Sequence, residues 1–304
     1  MSIPRDLTEN SIVSELMRLE KSARFLEPSD QQRRLWLDMA ADKTKNFIGG
    51  LDNGSAYKKF GSFKGLLQLK PESDSPVGMK EILDEWDKDL LGYGLNPASG
   101  GHLGYIPGGG IFAGVLGDYY AALFNQYAGI YYGGPGAVKI ENEILRWLVR
   151  LMGYPEGSLG NLTSGGSIAN LIALVTAREA KGLQPAEYDK ACVYLTSQVH
   201  HCIHKALRII GLGSAKLRTI PTDSHYRMDT QALLQQIDKD RNEKLIPFLL
   251  VGTAGTTDTG AIDPLDKMAE ICENRGLWFH VDAAYGGFFI LSQLHYPDGS
   301  PVRN

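Results

Sequence analysis

The sequence lacks the features that define several large classes of protein. It has only three cysteines, Cys192, Cys202 and Cys272, and neither their number nor their spacing suits a disulfide framework or a zinc site. No apolar run approaches the length needed to cross a membrane, and the first ten residues contain no apolar signal core. These absences predict a globular protein of the reducing cytoplasm that has no membrane partner.

Blocks of basic residues are missing as well. The formal net charge is −4 at pH 7, which makes nucleic acids and anionic membranes poor candidate partners. With 43% hydrophobic and 22% charged residues, the 304-residue chain can bury a sizeable core. Glycine, in contrast, is abundant: 35 residues, many of them clustered at 100–117, 129–136 and 160–166. Such clusters indicate backbone that approaches a ligand closely or turns with positive φ.

The spacing of apolar residues divides the chain into two parts. Residues 1–95 are predicted to form a helical segment, with an apolar stripe in Leu7–Phe25, a capping box at Ser29 and Gln32, and a short helix over Met79–Leu90. We expect this segment to pack on the body of the protein or on a second subunit. Residues 96–304 alternate helices with short apolar strands, at Cys192–Leu195, Leu217–Ile220, Phe248–Val251 and Leu277–Val281. This alternation predicts an α/β fold with a mainly parallel sheet flanked by helices.

A glycine-rich segment, Leu162–Leu174, comes directly before a predicted helix. Two glycines and a serine leave backbone N–H groups free at the positive end of that helix, where a phosphate would bind. A glycine-capped helix that binds nothing explains the segment equally well. In parallel sheets, ligands bind at the carboxyl ends of the strands, and three further segments are predicted to lie there.

The second segment is the histidine-rich turn Thr196–Leu207. Because His200 and His204 are four residues apart, a metal site is one possible interpretation of this turn. The segment lacks the glutamate of the HExxH pattern, and no third ligand is evident, so we predict no metal. A histidine cluster without a ligand is the alternative.

The third and fourth segments end two predicted strands. Threonines in Val251–Pro264 would hydrogen-bond a ligand or simply satisfy a turn. In Phe279–Phe288, Asp282 ends an apolar strand, where an unpaired carboxylate is costly and needs a cationic partner. A protonated pyridine nitrogen suits that position, and a structural ion pair is the competing explanation.

Taken together and in this order, the motifs TSGGSIANL, TSQVHHCIH and HVDAAYGG resemble those of the pyridoxal-phosphate-dependent group II amino-acid decarboxylases, a family that includes aromatic L-amino-acid, glutamate and cysteine sulfinate decarboxylases. The resemblance covers roughly residues 75–304. It implies the large domain of a type I pyridoxal-phosphate-dependent transferase, pyridoxal 5′-phosphate as cofactor, a homodimer, and decarboxylation of an L-amino acid, with aromatic substrates favoured. Alternatives are aldehyde synthesis, transamination or carbon–carbon lysis on the same fold, or an inactive fragment that acts only in binding.

The resemblance also implies a role for individual residues. His200, Asp282 and Thr257 are the implied catalytic residues: His200 stacks on the pyridine ring, Asp282 pairs with its nitrogen, and Thr257 lies near the ring substituents. The other implied site residues are Gly166 and Ser167 at the phosphate, Asp263 as a supporting acid, Ala284 beneath the ring, and Tyr105, Ile106 and Pro107 beside the substrate. One departure is Ile168, where many relatives carry glutamate.

The lysine that binds the cofactor covalently in this family is not found where the resemblance requires it. In the family it follows a histidine, beyond the motif that carries Asp282. No lysine follows Asp282 in this sequence, and the only His-Lys pair, His204-Lys205, lies in the histidine-rich turn. We therefore expect these 304 residues, taken by themselves, to be inactive and to lack the family's small C-terminal domain.

Overall fold

The structure, a computed structural model, describes residues 9–62, 77–106 and 108–295. By its internal contacts the chain divides into two units, Met1–Phe112 and Ala113–Asn304. In the described part of the chain, no helix is both long enough and apolar enough to span a bilayer.

The first unit is mainly helical. Its helices are α1 (Glu9–Ala23), α2 (Asp30–Gly49) and α3 (Met79–Glu85), and a π-helical turn continues α3 to Leu90. Two short strands, β1 (Tyr57–Lys58) and β2 (Gly94–Leu95), pair antiparallel.

Local chemistry determines where α2 begins. The Ser29 side chain accepts a hydrogen bond from the Gln32 backbone N–H at 3.3 Å, and the Ser29 N–H donates to the Gln32 side chain at 3.0 Å. This is the predicted capping box, and it satisfies donors that a helix start otherwise leaves unpaired.

Among the residues described, the second unit contains six α-helices and a four-stranded sheet. The strands are β3 (Ala191–Leu195), β4 (Lys216–Thr219), β5 (Ile246–Thr253) and β6 (Trp278–Asp282); they are all parallel and ordered β4-β3-β5-β6. The helices are α4 (Phe112–Phe124), which begins at the boundary, α5 (Pro135–Leu151), α6 (Gly166–Ala180), α7 (Cys202–Ile209), α8 (Thr230–Asn242) and α9 (Leu265–Arg275).

The core lies on both faces of this sheet. All five residues of β3 are buried, and alternate side chains enter two separate apolar clusters. Val193 packs with Leu174 of α6 in the first cluster, while Tyr194 packs with Leu233 of α8 in the second. The predicted α/β fold with a parallel sheet and flanking helices is therefore confirmed.

One helix was not predicted. Residues Phe112–Phe124 form α4 although Gly114 and Gly117 lie inside it. Each interior glycine costs a helix about 1 kcal/mol relative to alanine, so the local sequence favours a loop there.

Candidate cofactor site

The polar segments predicted from the sequence meet where the strands of the second unit end. Because β3, β5 and β6 are parallel, their carboxyl ends lie along one edge of the sheet. The Ala254 N–H donates to the Asp282 carbonyl at 2.9 Å, and the Gly286 N–H donates to the Ala254 carbonyl at 2.8 Å. These two bonds join the chain after β5 to the chain after β6.

The amino end of α6 lies against the chain after β6. A Cβ atom built on Gly166 would lie 3.3 Å from the Ala284 Cβ, so these two predicted site residues are neighbours. The preceding Gly165 has φ +145°, a conformation that side chains disfavour, and no side chain caps the helix.

The first backbone N–H groups of α6 are therefore available to an anion. Those of Gly166 and Ser167 have no acceptor within the helix, and both residues are exposed. The helix dipole adds positive potential at the same point. This arrangement fits a phosphate group. Ile168, the one departure from the family pattern, is 42% exposed.

Asp282, the last residue of β6, carries a buried carboxylate that is only 7% exposed. One oxygen accepts a hydrogen bond from the Ala284 N–H at 3.1 Å, and the other accepts from the Asn170 side-chain amide at 3.1 Å. Neither donor carries a charge. Among the residues that the structure describes, no ion pair includes Asp282.

A second buried carboxylate, that of Asp240, does have a cationic partner. Asp240, which is fully buried, accepts hydrogen bonds from the Arg218 guanidinium at 2.6 and 3.1 Å and from the Tyr194 hydroxyl at 2.9 Å. Asp240 thus has the structural ion pair that was the competing explanation for Asp282. Because a buried carboxylate without a cation is costly, Asp282 fits a cationic ligand atom such as a protonated pyridine nitrogen.

Two polar residues beside Asp282 were not predicted from the sequence. Asn170 of α6 is 4% exposed and His280 of β6 is 8% exposed, and their side chains meet with His280 Nε2 2.7 Å from Asn170 Oδ1. Burial lowers the pKa of His280, and the charge of Asp282 opposes that effect. Two features of the sequence could have indicated these residues. Asn170 is a polar residue on the apolar face of a helix, and His280 lies two residues before Asp282, so both side chains point to the same face of the strand.

The histidine-rich turn places His200 just before α7, partly exposed. Its Nδ1 accepts a hydrogen bond from the Cys202 N–H at 3.3 Å, and the rings of His200 and His201 lie 4.1 Å apart at 43°. His204 lies inside α7 and is exposed, whereas His200 precedes that helix, so the two candidate metal ligands do not share a helix. Over the described ranges, no group of three or more His, Cys, Asp or Glu residues is arranged to hold a metal.

The threonine-rich segment is anchored by Asp263, which is 2% exposed. Its carboxylate accepts hydrogen bonds from the backbone N–H groups of Met228 at 2.8 Å and Thr253 at 2.9 Å. Burial raises the pKa of Asp263, and the two backbone bonds oppose the rise. Thr257 is exposed in the following turn, whereas Thr256 is buried and bonds Thr259 within that turn at 2.7 Å.

The predicted substrate-side residues belong to the first unit. Tyr105 is 75% exposed with φ +65°, and its ring lies nearly parallel to that of His102 at 6.4 Å. Ile106 is partly buried, and Pro107 lies outside the described residues. Their contact with substrate stays a prediction.

The fold and the site define an α/β protein equipped to hold a phosphate and a cationic ring. Residues 73–301 match the family model described as the pyridoxal-dependent decarboxylase conserved domain. The match covers most of the chain, so the protein belongs to that family. This confirms the resemblance read from the motifs and, with it, pyridoxal phosphate as the cofactor.

Individual relatives agree with the family match. The chain is 37% identical to an aromatic-L-amino-acid decarboxylase of Bacillus atrophaeus, over 75% of this chain and 47% of that protein. It is 28% identical to a phenylacetaldehyde synthase of Arabidopsis thaliana, over 88% of this chain and 57% of that protein. The crystal structure of mouse CSAD in apo form superposes with a TM-score of 0.77 at 27% identity, covering 90% of this chain and 60% of that one. The chain spans about half the length of the curated relatives that it matches.

Proposed function

We propose that the whole protein decarboxylates an L-amino acid to the amine and carbon dioxide, with pyridoxal 5′-phosphate as cofactor. The observation that carries the proposal is the buried carboxylate of Asp282, which has no cationic partner among the residues that the structure describes and lies near the amino end of α6. When bound, the cofactor supplies a protonated ring that accepts the electrons released as the α-carboxylate leaves.

The residues of the chain have separate tasks in this proposal. Gly166 and Ser167 bind the phosphate through the amino end of α6. Asp282 keeps the ring nitrogen protonated, because an adjacent carboxylate favours the charged form. Ala284 lies next to Gly166 and packs beneath the ring, and His200 stacks on the ring and orients the substrate.

The remaining assignments concern the surroundings of the ring. Thr257 lies near the ring substituents, and Asp263 supports the site by holding the end of β5. Tyr105, Ile106 and Pro107 contact the substrate. Residues 1–95 contribute packing or subunit contacts, and residues 96–304 form the cofactor-binding part. The cytoplasm is the proposed compartment, since all three cysteines are unpaired and buried.

Aromatic L-amino acids are the proposed substrates, supported by the aromatic-L-amino-acid decarboxylase among the relatives. A second candidate is aldehyde synthesis, which the phenylacetaldehyde synthase relative favours. Product analysis separates the two on a chain extended to include the cofactor lysine. Decarboxylation of L-tryptophan, L-tyrosine or L-phenylalanine should give carbon dioxide and the amine without consuming dioxygen. Carbon dioxide, ammonia and an aldehyde, formed with consumption of dioxygen as the oxidant and release of hydrogen peroxide, would support the second candidate. Release of carbon dioxide only from L-glutamate or cysteine sulfinate would refute the aromatic preference.

The 304 residues taken by themselves are proposed to be inactive, because no lysine follows Asp282 in them. After incubation of this chain with pyridoxal 5′-phosphate and reduction with borohydride, we expect no site-specific covalent adduct by peptide mass spectrometry. The control is a chain extended to include the cofactor lysine, which should be labelled at that lysine. A stoichiometric adduct on any lysine of the 304-residue chain would refute this proposal.

A homodimer is proposed from the apolar stripe of α1. In the single chain, Ile12, Leu16 and Leu19 are 43%, 59% and 48% exposed, a surface that a second copy would cover. Sedimentation velocity should show a dimer, and the double substitution of glutamate for Leu16 and Leu19 should raise the dimer dissociation constant at least about tenfold. Lys21→Ala on the same helix serves as the control and should leave the dimer intact. A monomeric wild-type chain at micromolar concentration would contradict the proposal.

A further inference from the structure

Asn170 lies between the two buried polar residues of β6. It is on the face of α6 that also buries Leu174 and Ala177, so its side chain points into the core. The amide nitrogen is 3.1 Å from Asp282 Oδ2, and the amide oxygen is 2.7 Å from His280 Nε2. Among the described residues, the only other polar neighbour of this side chain is the Cys202 thiol, 3.4 Å from the amide nitrogen.

The chemistry of these groups allows one direction of hydrogen bonding. An ionised carboxylate only accepts, so the Asn170 NH₂ group must face Asp282. The Asn170 oxygen then faces His280 and only accepts. His280 Nε2 must therefore carry a proton, and Asp282 thereby determines, through one amide, which nitrogen of the imidazole is protonated.

In the same arrangement, no cation among the described residues neutralises the charge of Asp282. Burial lowers the pKa of His280, so the neutral imidazole is the favoured form. Burial and the charge of Asp282 raise the pKa of the Cys202 thiol, which keeps that group neutral as well. Asn170 thus donates to the Asp282 carboxylate from a neutral amide, whereas the Asp240 carboxylate accepts from the charged guanidinium of Arg218.

We propose that Asn170 is a positioning residue for the cofactor ring: its amide aims the Asp282 carboxylate at the ring nitrogen and holds His280 in the neutral Nε2–H form. This inference rests on the proposed function, in which Asp282 pairs with that nitrogen. It adds a residue that acts through Asp282 without touching the cofactor.

The first test compares two ligands on the 304-residue chain. Pyridoxal 5′-phosphate is titrated in parallel with an analogue in which a CH group replaces the ring nitrogen. A hydrogen bond to a charged group is worth enough to change affinity by about ten- to a hundredfold. In Asn170→Ala the dissociation constant for pyridoxal 5′-phosphate should rise by about that factor, and the constant for the analogue should stay within about twofold of wild type.

Two control variants separate positioning from general damage to the fold. Cys202→Ala removes the other neighbour of the Asn170 amide and keeps both hydrogen bonds, so it should retain the wild-type preference for pyridoxal 5′-phosphate over the analogue. Leu174→Ala opens a cavity on the same face of α6 and should lower the melting temperature. It too should retain the preference, because Leu174 makes no polar contact with Asp282.

The second test needs no cofactor. Long-range ¹H–¹⁵N correlation spectra of the cofactor-free chain report which nitrogen of each imidazole is protonated, and His280→Gln identifies the His280 signals. We expect the neutral Nε2–H form, and in Asn170→Ala an upfield shift of its Nε2 proton. A wild-type Nδ1–H form would overturn the proposal, because Asn170 would then present its oxygen to Asp282.

The outcomes also distinguish failure of the inference from failure of the proposed function. If wild type prefers pyridoxal 5′-phosphate and Asn170→Ala keeps the full preference, the role of Asn170 is refuted while the pairing of Asp282 stands. If wild type shows no preference, or binds neither ligand, the proposed function of this site fails. The imidazole spectra then still decide whether Asn170 is oriented as described.

Discussion

Replacing Asp282 with alanine should reduce decarboxylation by at least about a thousandfold in a chain that carries the cofactor lysine. Removing one preorganised charge-stabilising group from an active site costs about a hundred- to thousandfold in kcat, and in the proposed function the lost group also keeps the ring nitrogen protonated. Steady-state kinetics with saturating pyridoxal 5′-phosphate measures the loss. Activity within about tenfold of wild type would show that Asp282 does not pair with the ring.

Stability measurements separate the effect of losing the Asp282 charge from a general loss of folding. Asp282→Asn keeps the size of the side chain and removes the charge, so it should be as inactive as Asp282→Ala. Because the wild-type carboxylate is buried and its two donors among the described residues are uncharged, the cofactor-free Asp282→Asn variant should melt no lower than wild type. Asp266→Ala, at an exposed position in the first turn of α9, is the control and should keep full activity.

Replacing Gly286 with alanine should disrupt both the site and the fold around it. A Cβ atom at this position would overlap the Ala254 carbonyl oxygen and lie 2.8 Å from its carbon. The clashing atoms are backbone, so relief requires the chain after β5 and the chain after β6 to separate. Since Ala254 is also bonded to the Asp282 backbone, that movement should displace the Asp282 carboxylate.

We expect Gly286→Ala to lower the free energy of unfolding by about 3 kcal/mol, at the upper end of overpacking effects, and to weaken binding of pyridoxal 5′-phosphate. Urea denaturation and a cofactor titration measure the two effects. Gly287→Ala is a matched control in the next position, since its Cβ would lie 3.3 Å from the Ala283 side chain and 3.7 Å from the flexible end of Met152. Equal stability of the two variants would mean that the close approach at Gly286 is not needed.

The parts of the protein with a strong local signal could be predicted from the sequence. The five buried residues of β3 form a short apolar run, and Asp229 caps α8 by accepting hydrogen bonds from two backbone N–H groups. Gly276 ends α9 with φ +65°. These features depend on residues close together in the chain, so spacing and residue type are enough to predict them. The family likewise followed from motifs that each lie within a few residues.

Other features depend on residues far apart in the sequence, and only the tertiary structure decided them. Asn170 and Asp282 are 112 positions apart, and no local pattern indicates that their side chains meet. Residues far apart in the sequence also decide whether a buried aspartate has a cationic partner. Asp240 is paired with Arg218, whereas Asp282 is paired with no cation in the described chain. By itself the sequence determined that an aspartate would end a buried strand. Whether a nearby cation neutralised its charge depended on which side chains the packing of α6 against β6 brought within hydrogen-bonding distance.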